Sequence, residues 1–190
     1  MKINQIALIR GINVGSTRKL PMADLRALAT GLGFAAVRTY IQSGNLLYAT
    51  ALAPEEAAGR LEAALAAHLG YAVGVIAVPA AAWADVLASN PFPEVAEAEP
   101  TRLHAVFTQQ APPADAADRI LAAARGGERV VVTPAATWVH FPTGVGTSKI
   151  TPALLDRALG GPATAGLADP AGHRGAPRLL INQPDGRRNT

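Results

Sequence analysis

The order in which the apolar residues change their period restricts the fold of this chain more than any other feature. Ile3 to Ile9 is a largely apolar run of strand length, and Pro21 then opens a stretch whose Leu25, Leu28 and Leu32 share one face of a helix ending near Gly33. Val37 to Gln42 and Leu46 to Thr50 are β-rich runs split by Ser43-Gly44-Asn45, a hairpin signal. Pro54-Glu55-Glu56 starts a second helix through Leu61, Leu65 and Leu69, with its acidic residues in the first turn where the helix dipole favours them. Val73 to Val78 is a fourth strand. The order βαββαβ predicts an α+β fold of the ferredoxin-like (α–β plait) kind, an antiparallel four-stranded sheet with both helices on one face.

The second half repeats most of this plan. Ala80 to Ala88 reads as a short helix, and the proline-rich run from Ser89 to Pro100 reads as a linker. Leu103 to Thr108 is a strand, Ala114 to Ala124 a helix, Arg129 to Thr133 and Thr137 to Phe141 a strand pair, and Pro152 to Leu159 a helix. From Gly166 onward Gly, Pro, Arg and Asp interrupt every apolar run. The expected organisation is two ferredoxin-like units in tandem. The first, 1–79, carries the candidate site; 80–100 is helix and linker; 101–165 is a second, incomplete unit; and 166–190 is an irregular tail.

A hydrophobic fraction of 49% against 16% charged residues describes a packed core and not a solvated, disordered chain. The absence of cysteine excludes a disulfide framework, thiolate metal sites and a thiol nucleophile, and points to a reducing cytoplasm. The start of the chain lacks the apolar core of a signal peptide. No stretch approaches the roughly 20 uninterrupted apolar residues of a membrane span, so no membrane partner is expected. Of the net charge of +3, two units belong to the tail, where Arg174, Arg178, Arg187 and Arg188 face Asp169 and Asp185. The body is nearly neutral, which leaves nucleic-acid binding to local patches.

The first and second strands of a ferredoxin-like sheet run parallel, because a right-handed crossover joins them, and their carboxyl ends share an edge. The loop from Arg10 to Lys19 and the turn from Ser43 to Asn45 are therefore expected to lie together although about 30 residues separate them. This juxtaposition collects Arg10, Gly11, Asn13, Gly15, Lys19, Tyr40, Gln42, Ser43, Gly44 and Asn45 into a candidate site. Glycines there expose backbone N–H groups, and Arg10 and Lys19 add positive charge near a helix start, a combination suited to a small anion. The spacing is neither that of a Walker A loop nor G-x-G-x-x-G, and no cofactor is expected. The plain alternative is a structural loop and an ordinary hairpin. A second glycine loop with Gly144, Gly146, Ser148 and Lys149 precedes a helix with Thr151 at its N-cap and Pro152 at N1. It is read as a structural turn before an anion loop, because it follows the third strand of its unit.

Other chemistry is weakly represented. His68, His104, His140 and His173 have no ligand spacing, so no metal site is expected; His104 and His140 fall in strands that could be neighbours and read as exposed strand residues before a proton-transfer pair. Ser43 lacks the G-x-S-x-G elbow and an assignable histidine. Tyr40, Tyr48 and Phe107 could stack on RNA bases, but without an RNP-like signature they read as packing residues.

Three runs, Ala7-Leu8-Ile9-Arg10-Gly11-Ile12-Asn13-Val14-Gly15, Val37-Arg38-Thr39-Tyr40-Ile41-Gln42-Ser43-Gly44-Asn45 and Ser148-Lys149-Ile150-Thr151, resemble in order the signatures of a bacterial family called domain of unknown function 1697. The resemblance spans about residues 3 to 165, implies two α–β plait units and brings no activity. Such proteins continue past a segment like Ala163-Thr164-Ala165 with an Arg-Asn-Trp-type run, where this chain has Gly166-Leu167-Ala168-Asp169-Pro170. A one-nucleotide shift in codons for Leu167 to Pro170 restores Trp-Arg-Thr, so the tail from about Gly166 is expected to be read out of frame. The leading expectation is a cytoplasmic protein that binds a small anionic or phosphorylated ligand at the N-terminal glycine loops. An enzyme using the same site needs a titratable group, for which Tyr40 or Lys19 would serve. An RNA- or protein-interaction module would use the open face of the sheet.

Overall fold

Two antiparallel four-stranded sheets follow one another along the chain in a computed structural model that describes residues 2–13, 19–40, 44–161 and 163–167. The first contains β1 (Gln5–Ile9), α1 (Met22–Gly31), β2 (Ala35–Tyr40), β3 (Asn45–Ala49), α2 (Pro54–Leu69) and β4 (Val75–Pro79), with strand order β2-β3-β1-β4. Two helices, α3 (Ala80–Ala88) and α4 (Pro93–Ala98), and a 3-10 turn at Pro100–Arg102 lead on to the second. There β5 (Leu103–Thr108), α5 (Ala116–Leu121), β6 (Arg129–Val132), β7 (Thr137–His140), α6 (Pro152–Leu159) and β8 (Ala163–Leu167) are ordered β6-β7-β5-β8. The first strand of each half is thus an inner strand, flanked by the third and fourth.

Two expectations are corrected. The run from Ser89 to Pro100 is not all linker: Pro93 sits in the first turn of α4, where its missing N–H costs nothing, and the helix is held by burial of Val95 and Ala96. The second half is not incomplete either. β8 lies antiparallel along β5, from Ala163 opposite Thr108 to Leu167 opposite His104. Ala-Thr-Ala-Gly-Leu has little β propensity, and β5 supplies the ladder that its sequence does not announce. The rest of the tail, 168–190, lies outside the described residues.

Side chains alternate across β1, and both alternate sets are buried. Ala7 and Ile9 join Leu46 and Tyr48 beneath Leu25 and Ala29 of α1 and Leu61 and Leu65 of α2. Ile6 and Leu8 point the other way, with Leu47, into a core shared with Leu103, Ala105, Phe107 and Trp138 of the second sheet and with Trp83 of α3. The outer face of the second sheet carries Val106 and Val139 against Ile120, Leu155 and Leu159. The layers therefore run helix, sheet, sheet, helix. An inner strand buried on both faces reads as a nearly unbroken apolar run, which accounts for the form of Ile6 to Ile9.

This packing overturns the open sheet face as an RNA or protein platform, because the faces turned away from the helices bury one another. Phe107 is inside that core, and Tyr48 is fully buried on the helix side, stacked 4.6 Å from Phe34 with its hydroxyl donating to Gln5 Oε1 at 2.8 Å. Burial pushes the Tyr48 phenol far above its ordinary range.

Candidate functional site

The register of the first sheet brings its strand ends together. Asn45 lies opposite both Leu8 of β1 and Tyr40 of β2, so the ends of β1 and β2 and the start of β3 share an edge. Ile9 N–H donates to Gly44 C=O at 3.0 Å, and Arg10 N–H donates to Gly74 C=O at 2.9 Å. Gly44 has φ +85°, and a Cβ placed there would stand 2.9 Å from both the Ile9 carbonyl oxygen and Ile12 Cδ1. Gly44, just ahead of β3, thus sits directly against the end of β1 and Ile12.

Within this edge the residues divide by what their polar atoms already do. Asn13, at φ +56°, donates from Nδ2 to Leu20 C=O at 3.1 Å and accepts the Leu20 N–H on Oδ1 at 2.8 Å, which ties these two positions together. That amide serves the chain, although the sequence pattern counts Asn13 among the candidate site residues. Lys19 is exposed, and Gly11 is half-buried at φ +68°. Tyr40 closes β2, while Gly15, Gln42 and Ser43 lie outside the described residues.

Arg10 is half-buried, and its Nη2 meets Asp156 Oδ2 of α6 at 2.5 Å, a bond between the two halves. α6 is fixed at its start by Thr151, whose Oγ1 accepts Leu154 N–H at 3.2 Å, and by Pro152 in the first turn. Leu155, Ala158 and Leu159 turn into the second core, and Asp156 is left to reach the first half. One guanidinium nitrogen is engaged by this contact; a fork of five N–H donors held at one corner keeps a fixed plane. No spacing rule in the sequence pairs Asp156 with a residue 146 positions earlier.

The second glycine loop satisfies itself. Ser148 Oγ donates to Glu128 Oε1 at 2.5 Å and accepts Ile150 N–H at 3.1 Å, while Glu128 Oε2 accepts the N–H groups of Gly126 at 2.7 Å and Arg125 at 3.0 Å. The Ser148 hydroxyl, followed by these amides, holds the Glu128 carboxyl at about 2. The anion of this loop is a carboxylate of the protein itself. Gly144 N–H donates to Phe141 C=O at 2.9 Å, Thr147 Oγ1 donates to Thr143 C=O at 3.0 Å, and Gly146 and Lys149 are exposed.

His104 and His140 are not the exposed strand residues expected, nor a proton-transfer pair. His104 lies opposite Val139 on the helix side and packs edge-on to Phe141, whereas His140 lies opposite Leu103 on the sheet–sheet side near Phe92. Arg129 Nε donates to His140 Nδ1 at 3.3 Å, which puts the imidazole proton on Nε2; the same guanidinium stands 4.5 Å over the Phe92 ring and reaches Glu94 at 3.1 Å. Burial lowers the pKa of both histidines, and for His140 the Arg129 charge adds to it.

Among the described residues no group of three or more His, Cys, Asp or Glu side chains could hold a metal ion, and no helix is long and apolar enough to cross a membrane. The model of a family described as "Protein of unknown function (DUF1697)" matches residues 3–138. No curated protein matches. Among solved structures, the conserved bacterial protein SP0830 from Streptococcus pneumoniae is similar with a TM-score of 0.64 at 19% identity, over 88% of this chain and 94% of that one. This likeness concerns the fold.

Proposed function

The chain belongs to the DUF1697 family of proteins of unknown function, and from the geometry of its strand ends we propose that it binds a small anionic or phosphorylated ligand where the loop after β1 meets the turn before β3. Each half is read as a ferredoxin-like plait, and the site lies at the carboxyl ends of the first two strands of the first. The supporting observation is the 2.5 Å contact between Arg10 and Asp156. A carboxylate from the second half engages the guanidinium of Arg10, the residue that follows the strand bonded to Gly44, and its remaining N–H donors serve an anion. Lys19, exposed at the far end of the loop, supplies a second cation. Asn13 ties the segment after β1 to Leu20 through two hydrogen bonds.

The test is a thermal-shift panel of nucleotides, sugar phosphates and inorganic phosphate on the full chain and on Lys19→Ala and Arg10→Gln. A ligand at about 100 times its Kd adds roughly 2.7 kcal/mol, which for a chain of this size is about 5–10 °C. The expected result is a shift with one class of anion that both variants reduce, with Lys19→Ala unchanged in its own Tm. No shift with any member, or a shift that both variants retain in full, refutes the proposal.

A further inference from the structure

A groove of about 450 Å³ runs along the free edge of β4, between α2 and the end of β5. We propose that it is a second binding site, which takes a small organic cation with an apolar body, such as an alkylamine or alkylguanidine. Its size falls in the range of small-molecule sites. Ala58, Ile76, Val78, Phe107 and Ala135 give it apolar surface, and Glu55 and Glu62 stand over it from α2. No Lys, Arg or His is among the described residues that line it, although the chain carries a net charge of +3. The charge of this groove is opposite to that of the whole.

The backbone adds to the same bias. Arg10 N–H to Gly74 C=O at 2.9 Å and Ala80 N–H to Asn4 C=O at 2.8 Å fix the alternation of β4, so Val75, Ala77 and Pro79 turn their peptide groups to the free side. Glu62 Oε1 already accepts the Val75 N–H at 2.8 Å, and Pro79 has none to give. Three carbonyls of β4 and two carboxylates thus face the groove, and of the β4 edge only the Ala77 N–H stands against them, with the Gln109 amide at the far side. An added peptide strand needs donors and acceptors in alternation, and this edge is blunted against it. A second copy would set carboxylates against carboxylates, and an anion would meet the same repulsion. An ammonium or guanidinium group brings donors only, which is what the edge lacks.

Titration calorimetry on the full chain tests this with n-hexylamine and hexylguanidine as probes, n-hexanol and hexanoate as matched controls, and a Lys-Leu-Lys tripeptide. In Glu55→Gln/Glu62→Gln the amide oxygen at position 62 still accepts the Val75 N–H while both charges are gone. In Gly59→Leu a side chain enters the groove from a helix position where an added Cβ meets nothing within 4 Å, and helix propensity improves. Hexylamine and hexylguanidine should bind, the double variant should weaken both by about tenfold or more, and Gly59→Leu should abolish binding. Lys19→Ala should change nothing, which separates this groove from the anion site. Hexanol or hexanoate binding as well as the amine, full affinity in either groove variant, or no heat with either cation overturns the proposal. Binding of the tripeptide where hexylamine fails would overturn it in favour of a peptide occupant.

Discussion

Replacing Gly44 by alanine tests the contact on which the candidate site depends. At φ +85° an L-residue costs roughly 1–2 kcal/mol for its backbone alone. The added Cβ would also stand 2.9 Å from two atoms. Ile12 Cδ1 can rotate away, but the Ile9 carbonyl belongs to β1 and can retreat only by straining the 3.0 Å bond from Ile9 N–H to Gly44 C=O, about 1 kcal/mol more. The expected loss is therefore about 2–3 kcal/mol, a Tm lower by about 5–10 °C. Gly70→Ala is the internal control: φ is +76°, and nothing lies within 4 Å of its added Cβ, so it carries the backbone cost without the crowding. Urea denaturation of both variants gives the comparison. If Gly44→Ala costs no more than Gly70→Ala, the turn does not press on the segment after β1, and the geometry of the proposed anion site is wrong.

Ser148→Ala removes the strongest hydrogen bond to Glu128 and should cost about 1.5–3 kcal/mol; by NMR titration the Glu128 carboxyl should rise from about 2, and an unchanged value would refute the assignment. With its folded pKa below the ordinary 4.5, Glu128 contributes stability above that pH, and this is lost as pH falls from 4.5 toward 2. His104 and His140 act at higher pH in the same direction. Their folded pKa values lie below 6.5, so the unfolded chain takes up protons first, and the urea midpoint should fall as pH drops below about 6.5; a flat profile between about pH 7.5 and 5.5 argues against both burials. Ala36 sits at φ +50° where the pairing of β2 with β3 shifts register, so Ala36→Gly should raise stability by about 0.5–1 kcal/mol in the same urea assay, and a loss would count against that strain.

The elements most legible in the sequence are those with their own punctuation. Thr151-Pro152 marks the start of α6, Pro54 with two glutamates marks α2, and the alternation of Leu103 to Thr108 marks β5 at its observed bounds. β8 was hidden because Ala163 to Leu167 owes its conformation to β5, and α4 because a proline in a first turn looks the same in a linker. The site divides along the same line. Glycines, cations and strand ends could be gathered by topology, but Asp156 comes from the other half, and only packing selects it. Ser148 and its glycines show the limit most plainly: a hydroxyl and amides arranged for an anion look alike in sequence whether the anion is a ligand or Glu128.

Sheet-to-sheet packing also decides where chemistry has room in this fold. Each half spends one sheet face on its helices and the other on its neighbour, so Leu8, Leu47, Leu103 and Trp138 are nearly or fully removed from solvent and leave no broad platform. What remains are the two kinds of place where strands stop being covered: their ends and their free edges. At the ends, Gly44 lies against the segment after β1, and Arg10 meets Asp156 of the second half, so the proposed anion site draws on residues that neither half holds alone. At the free edge of β4, carbonyls and glutamates gather with no Lys, Arg or His among the described residues that line the groove. The two places differ in charge because Arg10 and Lys19 stand at the first and acceptors remain at the second, where a strand edge has been blunted. A single packing arrangement thus accounts both for the loss of the open face and for the contrast between the two proposed sites.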